Sequence, residues 1–308
     1  MIGIEAIGLH IPKTRISNLD RASKFSTDKD FIKNKIGIEY VSRKGINENT
    51  STLAIKALRN LLDKHPFDIE SIEVLILVTQ TPDSNIPHTS AVIHGEIGFS
   101  ESCAAFDLSL GCSGFVYGLS VIKSFMKVNG LKKGILITSD PYSKILNPED
   151  KNTSLLFGDA ATATLLSDSP NYLIGNGTFG TIGKERDNLK LENNYLTMNG
   201  RGIFNFAARY IPKDIDELLT KNNLDKNDID YFIFHQGSKY IIDTLIKRLN
   251  LDHEKTINNI REYGNTVSSS IPIILNGIIK GSEAKKILIS GFGVGLSWAS
   301  NVLTRINK

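Results

Sequence analysis

The sequence predicts an α/β protein in which two halves of the chain repeat one β/α design. Two matched pairs of segments carry that expectation. Ile72-Glu-Val-Leu-Ile-Leu-Val78 and Ile229-Asp-Tyr-Phe-Ile-Phe234 are both unbroken apolar runs with one acidic residue near the start. That is the pattern of strands buried on two faces. Lys132-Lys-Gly-Ile-Leu-Ile-Thr138 and Ala284-Lys-Lys-Ile-Leu-Ile-Ser290 form the second pair, each headed by lysines. Similarity at a fixed offset is the mark of duplicated architecture.

The elements follow in order. Met1 to Pro12 is apolar but short, carries Glu5 and lacks a basic start, so it reads as a first strand rather than a leader. Ser51 to Leu62 and Ile215 to Asn222 are expected as the helices before the first matched strands. Pro87 to Ile97 and Lys239 to Leu249 are expected as the helices after them. Ala104 to Leu108 is a further strand. From Phe115 on, Val116, Leu119, Ile122, Phe125 and Met126 recur at helical spacing up to the Asn129-Gly130 stop. Ala160 to Leu166 and Ser297 to Leu303 close the two halves, and Tyr172 to Asn199, rich in Gly and Asn, reads as loop and short strand. The join is placed near Ser167 to Tyr172, giving an N-terminal half of residues 1–170 and a C-terminal half of residues 171–308.

Composition narrows the function classes. Among 308 residues, 36 Lys and Arg against 33 Asp and Glu leave a net charge of +3. This is too small to mark a nucleic-acid partner or an anionic membrane surface. No apolar run approaches the roughly 18 to 20 residues of a membrane span, so the expected location is the cytoplasm. Cys103 and Cys112 make neither a disulfide framework nor a CxxC pair, and six histidines form no metal-ligand spacing, His88 and His94 being six apart. No metal is expected.

Cys112 lies in Leu110-Gly-Cys-Ser-Gly114, between a strand and a helix. Backbone N–H groups at a helix start favour a thiolate, so the position suits a nucleophile. A buried small core residue would look the same. Cys103 lacks such a setting. His235 ends the second matched strand, where functional groups of open α/β sheets collect, although a structural histidine there is commoner. Asn265, in Glu262-Tyr-Gly-Asn-Thr-Val-Ser-Ser-Ser-Ile271, occupies a turn before an apolar helix, where a turn or cap residue is the commoner reading. Gly291-Phe-Gly-Val-Gly295 is rejected as a dinucleotide loop, because its third glycine comes one residue early and no acidic residue follows. Leu110 likewise stands where a hydrolase elbow needs glycine.

Together these segments resemble the β-ketoacyl-(acyl-carrier-protein) synthase III family of thiolase-like condensing enzymes. The likeness rests on Ala105-Phe-Asp-Leu-Ser-Leu-Gly-Cys-Ser-Gly-Phe115, Phe157-Gly-Asp-Ala-Ala161, Leu196-Thr-Met-Asn-Gly200, His235-Gln236, Tyr263-Gly-Asn-Thr266 and Gly291-Phe-Gly-Val-Gly-Leu-Ser-Trp298. It implies a five-layered αβαβα body of two pseudo-repeated halves, usually a homodimer. It further implies that Cys112 accepts the acyl primer, that His235 and Asn265 drive decarboxylation of a malonyl-carrier unit, and that the N–H groups of Cys112 and Val294 hold the acyl oxygen. The implied partners are an acyl carrier protein and an acyl-coenzyme A or acyl-carrier primer. The thioesters of coenzyme A or phosphopantetheine enter as substrates, and no cofactor is needed.

Several residues depart from the family's pattern. Phe31 and Lys151 fall where a tryptophan and an arginine clamp the adenine, and Lys35 where an arginine meets phosphate. Ile86 replaces a bulkier residue said to reach the acyl pocket across the dimer. Ser238 and Lys239 stand in an altered motif after His235, and Val294 replaces a glycine. The resemblance extends the substrate-binding set to Phe157, Phe204 and Gly293. Three other readings are weighed. A family member could transfer the acyl group to an alcohol or amine without CO2, with His235 as base. A cysteine hydrolase could use Cys112, Asp159 and His235. The chain could also be the silent subunit of a synthase pair.

Overall fold

The computed structural model describes residues 1–306. The N-terminal half runs through β1 (Gly3–His10), β2 (Thr14–Ser17), β3 (Tyr40–Arg43), α1 (Thr50–Lys64), β4 (Val74–Val78), α2 (Thr89–Ile97), β5 (Ala104–Leu108), α3 (Gly114–Asn129), β6 (Lys133–Ser139), α4 (Lys151–Ser154) and β7 (Ala161–Ser167). The C-terminal half continues with β8 (Tyr172–Ile174), β9 (Thr178–Thr181), β10 (Leu189–Glu192), β11 (Tyr195–Met198), α5 (Gly200–Lys221), β12 (Tyr231–Phe234), α6 (Lys239–Leu249), α7 (Ser270–Gly281), β13 (Lys286–Gly293) and β14 (Ser297–Arg305). Among the described residues no helix is long and apolar enough to cross a membrane.

The two halves repeat one strand order. In the first it is β5-β4-β6-β7-β1, with β4 parallel to both β5 and β6, and β7 antiparallel to β6 and β1. In the second, β12 pairs in parallel with β13 and, through Phe232, with Thr256; β14 runs antiparallel between β13 and β8. Thr256 therefore stands where β5 stands in the first half. Through β8, which pairs with both β1 and β14, the half-sheets join along one edge.

Side-chain alternation explains the five layers. Successive strand residues face opposite sides, and both sides here are covered. Leu75 and Leu77 of β4 pack under α1, whereas Val74, Ile76 and Val78 face α3 and α7. Ile287 and Ile289 of β13 meet those same central helices from the other side, while Leu288 packs under α5 and α6. Burial on both faces is why the matched strands read as unbroken apolar runs rather than alternating ones.

One element differs from the expectation. The helix expected from Ile215 begins at Gly200 and passes through Pro212. Proline removes the N–H that would bond the carbonyl four residues back. That carbonyl, on Ala208, instead accepts from Arg248 Nη1 of α6 at 3.1 Å. The glycine-rich segment rejected as a dinucleotide loop is the β13–β14 hairpin, with Gly293 opposite Ser297.

Candidate active site

Cys112 sits between β5 and α3, in a turn closed by the Gly114 N–H on the Gly111 carbonyl at 2.7 Å. It is 3% exposed. Gly293 lies against it so closely that a Cβ there would fall 2.7 Å from Cys112 Sγ, so only glycine fits. The helix start was expected to favour a thiolate; the structure corrects this. Burial, helped by the charge of Asp140, pushes the Cys112 thiol up to about 12, against the opposing pull of the Val294 and Cys112 N–H groups. Desolvation penalises the charged form and outweighs the local donors, so the resting group is a thiol. Cys103 is also held high, at about 11, by burial and then Glu73.

His235 ends β12 and is 3% exposed. Burial takes it down to about 3, against a hydrogen bond to the Val267 backbone, and leaves a neutral imidazole at physiological pH. Its Nδ1 lies 2.8 Å from Ser270 Oγ, whose single proton has two acceptors within reach, Nδ1 and the Val267 carbonyl at 3.0 Å. Phe292 meets the ring edge-on, with centroids 5.7 Å apart.

Asn265 is stitched to the Phe157 segment, since its N–H donates to the Leu156 carbonyl and its carbonyl accepts from Gly158 N–H, both at 2.8 Å. Its Oδ1 accepts from Val267 N–H at 2.9 Å. That bond fixes the amide so that Nδ2 is left as the donor for a ligand. Val267 holds a φ of 53°, a left-handed backbone that a β-branched residue rarely adopts. The strain places its N–H on Asn265 and its carbonyl beside His235 and Ser270, so one residue orients both donors.

Three consecutive serines then anchor this loop. The Ser268 hydroxyl donates to Asp140, Ser269 Oγ pairs with Thr138 Oγ1 at 2.7 Å, and Ser270 holds His235. Two of these ties run to β6 or its end, in the other half of the chain. Cys112, His235 and Asn265 thereby border one cavity of about 220 Å³, mostly apolar, with Phe157, Phe292 and Gly293 beside them.

Comparison with known proteins shows the family. Residues 106–183 match the family model described as 3-oxoacyl-(acyl-carrier-protein) synthase III, and residues 219–305 match the model of its C-terminal part. The β-ketoacyl-(acyl-carrier-protein) synthase III of Clostridium perfringens is 35% identical, covering 98% of both chains. That of Lactococcus lactis is 34% identical, covering 96% of both. The chain belongs to the 3-oxoacyl-(acyl-carrier-protein) synthase III family. It is therefore a thiolase-like condensing transferase. The solved synthase from Thermus thermophilus superposes with a TM-score of 0.93 at 31% identity, covering 99% of this chain and 100% of its own. The priming β-ketosynthase of a polyketide pathway shares the fold, with a TM-score of 0.91 at 24% identity, covering 100% of this chain and 97% of its own.

Against that family the expected substrate-binding residues divide. Phe31, Lys35, Lys151, Phe157, Phe204, Ser238 and Gly293 border the cavity. The ammonium groups of Lys35 and Lys151 stand 5.8 and 5.7 Å from the Phe31 ring centroid. Phe204 stacks on Tyr240 at 4.9 Å, a cavity residue that sequence reasoning missed. Two residues fall elsewhere: Lys239 is drawn along α6 into an ion pair with Asp243, and Ile86 is 90% exposed. Val294 sits at the site through its backbone N–H, which meets Cys112. The hydrolase triad fails. Asp159 accepts from Lys44 N at 2.8 Å and Ser143 Oγ at 2.5 Å, and the Nδ1 partner of His235 is Ser270.

Proposed function

We propose that the chain condenses an acyl primer, bound as a thioester on Cys112, with a malonyl-acyl carrier protein, releasing CO2 and a β-ketoacyl thioester for fatty acid biosynthesis. The observation that carries this reading is the convergence of Cys112, His235 and Asn265 on one cavity, with Oδ1 of Asn265 and Nδ1 of His235 already engaged. In the first half-reaction the Cys112 proton passes to neutral His235 and on to the departing thiolate as the acyl group moves to sulfur. The acyl oxygen rests on the N–H groups of Cys112 and Val294. In the second, the malonyl carboxylate leaves as CO2 and its electrons pass to the thioester oxygen, held by Asn265 Nδ2 and by Nε2–H of His235 in the tautomer whose Nδ1 accepts from Ser270 Oγ. The enolate carbon attacks the Cys112 ester, and the expelled thiolate takes up the proton that the overall reaction consumes. Every step is carried by side chains and backbone, with the thioesters of coenzyme A or phosphopantetheine as substrates and no metal or redox cofactor called on.

The proposal extends to assembly. Strand β5 ends the large sheet with one edge unpaired among the described residues. Its sequence, Ala-Ala-Phe-Asp-Leu, holds neither Lys nor Pro to blunt that edge. Beside it Phe106 meets Phe125 with the rings tilted by 57°, and Val128 is 84% exposed. A second copy pairing along β5 would cover this apolar face and receive Ile86. We place the enzyme in the cytoplasm, where its two unpaired buried cysteines remain reduced.

The test is isotopically labelled malonyl-carrier protein supplied with acyl donors. The reading requires CO2 release, a β-ketoacyl product and one acyl mass on the Cys112 peptide. Acyl transfer to an alcohol or amine without CO2 would overturn it, and so would condensation by Cys112→Ala.

A further inference from the structure

One buried acid takes no part in the chemistry above. Asp140 follows the last residue of β6, is 0% exposed and has no cationic partner among the described residues. A carboxylate buried without a cation is costly, so hydrogen bonds have to hold it. Burial lifts it to about 6, against donors from two separate segments. Its Oδ1 accepts from the Gln80 N–H at 2.7 Å and from Thr79 Oγ1 at 3.4 Å, and its Oδ2 accepts from the Ser268 hydroxyl.

The two oxygens serve the two sides of the site. On the Oδ1 side, Thr79 and Gln80 follow β4 and support the nucleophile's turn at two points. The Thr79 N–H donates to the Leu108 carbonyl at 3.1 Å, at the end of β5, and a Cβ on Gly111, the residue before Cys112, would lie 2.5 Å from Gln80 Oε1. On the Oδ2 side, Ser268 follows Val267, whose N–H holds Asn265 Oδ1 at 2.9 Å, and precedes by two residues Ser270, the partner of His235.

We propose that Asp140 is a positioning residue for both half-reactions, one oxygen bracing the turn that carries Cys112 and the other the loop that carries Asn265 and aims His235. This rests on the condensation reading for the two half-reactions. An asparagine in its place can keep both ties, its oxygen accepting from the Gln80 N–H and its nitrogen donating to Ser268 Oγ, whereas alanine can keep neither. The charge leaves a signature of its own. The titratable groups facing Asp140 are Cys112, in the turn before α3, and Tyr142, just after β6, and the carboxylate opposes a thiolate at Cys112.

The experiment compares the parent with Asp140→Ala and Asp140→Asn in three measurements: acylation of Cys112 by mass, CO2 release from malonyl-carrier protein, and alkylation of Cys112 by iodoacetamide as a function of pH. Asp140→Ala should slow both half-reactions, each on the order of tenfold to a hundredfold, as expected of reacting groups displaced by up to about 1 Å. Asp140→Asn should recover both to within about fivefold of the parent, while its alkylation midpoint falls and alkylation at pH 8 quickens by about three- to tenfold. Where Asp140→Ala fails to fold, Asp140→Asn decides: an unmoved alkylation midpoint sets the carboxylate out of reach of the turn and overturns the proposal. Parent rates of both half-reactions in a folded Asp140→Ala overturn it as well. So does a loss in Asp140→Asn as deep as in Asp140→Ala, which would make the charge and not the position the essential feature. A parent that neither acylates Cys112 nor releases CO2 would instead defeat the condensation reading, with alkylation still reporting on Asp140.

Discussion

Replacing Gly293 with alanine tests whether the glycine hairpin and the nucleophile are one mechanical unit. A Cβ at 293 would sit 2.7 Å from Cys112 Sγ and 2.8 Å from its Cβ, against the 3.4 Å at which ordinary contact begins. One side has to yield by about 0.7 Å; Sγ could turn aside, but Cβ, 2.8 Å away, moves only with the backbone turn that leads into α3, and Gly293 is held by its pairing with Ser297. A misplacement of about 1 Å at a reacting group costs on the order of a hundredfold in rate. Gly293→Ala should therefore slow Cys112 acylation on the order of tenfold to a hundredfold, and overpacking should lower stability by about 1 to 3 kcal/mol. The assay is the pre-steady-state rise of acyl mass on the Cys112 peptide, with denaturant unfolding measured beside it. Gly183→Ala, where an added Cβ meets nothing within 4 Å, is the control for the substitution itself. Acylation by Gly293→Ala at the parent rate would refute the reasoning.

Three further outcomes are expected. Ser270→Ala removes the Nδ1 partner of His235, leaving a buried polar atom unpaired at about 1 to 3 kcal/mol; decarboxylation should fall about 5- to 150-fold while Cys112 still acylates, with recovery in Ser270→Thr. The pKa of His235 in the folded chain is about 3, well below that of the unfolded residue, so its contribution to stability is present above pH 6.5 and is lost as pH falls toward 3. Asp140, held up at about 6 by burial, acts oppositely, losing its contribution as pH rises through 6. Comparing parent with His235→Ala isolates the first effect: the stability difference should shrink by up to about 1.4 kcal/mol per pH unit on acidification below pH 6.5. Finally, Phe31 offers an adenine a smaller ring than tryptophan and its flanking Lys35 and Lys151 cannot stack or bind phosphate as a planar guanidinium does, so the same acyl group should be used better on a carrier than on coenzyme A; Phe31→Trp/Lys151→Arg should raise kcat/KM for the coenzyme A thioester by about two- to thirtyfold.

The fold was legible because strands buried on both faces leave unbroken apolar runs, and two such runs recur with the same flanking charges at Ile72 and Ile229, and at Lys132 and Ala284. Helix α5 was only half legible. Gly200, Gly202 and Pro212 break the helical pattern, and the group that rescues the break, Arg248, lies on another helix. Among the site residues, Cys112 announced itself by a strand, a glycine turn and a helix start. Its protonation did not, because the sequence gives the local donors while burial at 3% exposure and the charge of Asp140 come from the fold. Lys239 misled for a similar reason: its charge is spent on Asp243, one turn along the same helix.

What the sequence least disclosed is how the chemistry is held together across the two halves. Cys112 belongs to the first half, and His235 and Asn265 to the second, so any sliding of one against the other would part the nucleophile from its donors. The run Ser268-Ser269-Ser270 prevents it. In sequence it is an unremarkable polar stretch before an apolar helix, but each hydroxyl takes a different partner: Asp140, Thr138 and His235. Buried polar groups that are fully partnered specify one arrangement more sharply than apolar packing, which tolerates small slips. Val267, just before them, adds the strained residue whose N–H aims Asn265 and whose carbonyl side meets His235. The loop from Asn265 to Ser270 is thus the part of the C-terminal half that binds its donors to the β6 end of the N-terminal half. It follows that Ser268→Ala, which touches no reacting atom, should loosen this alignment and slow condensation more than it slows acylation of Cys112.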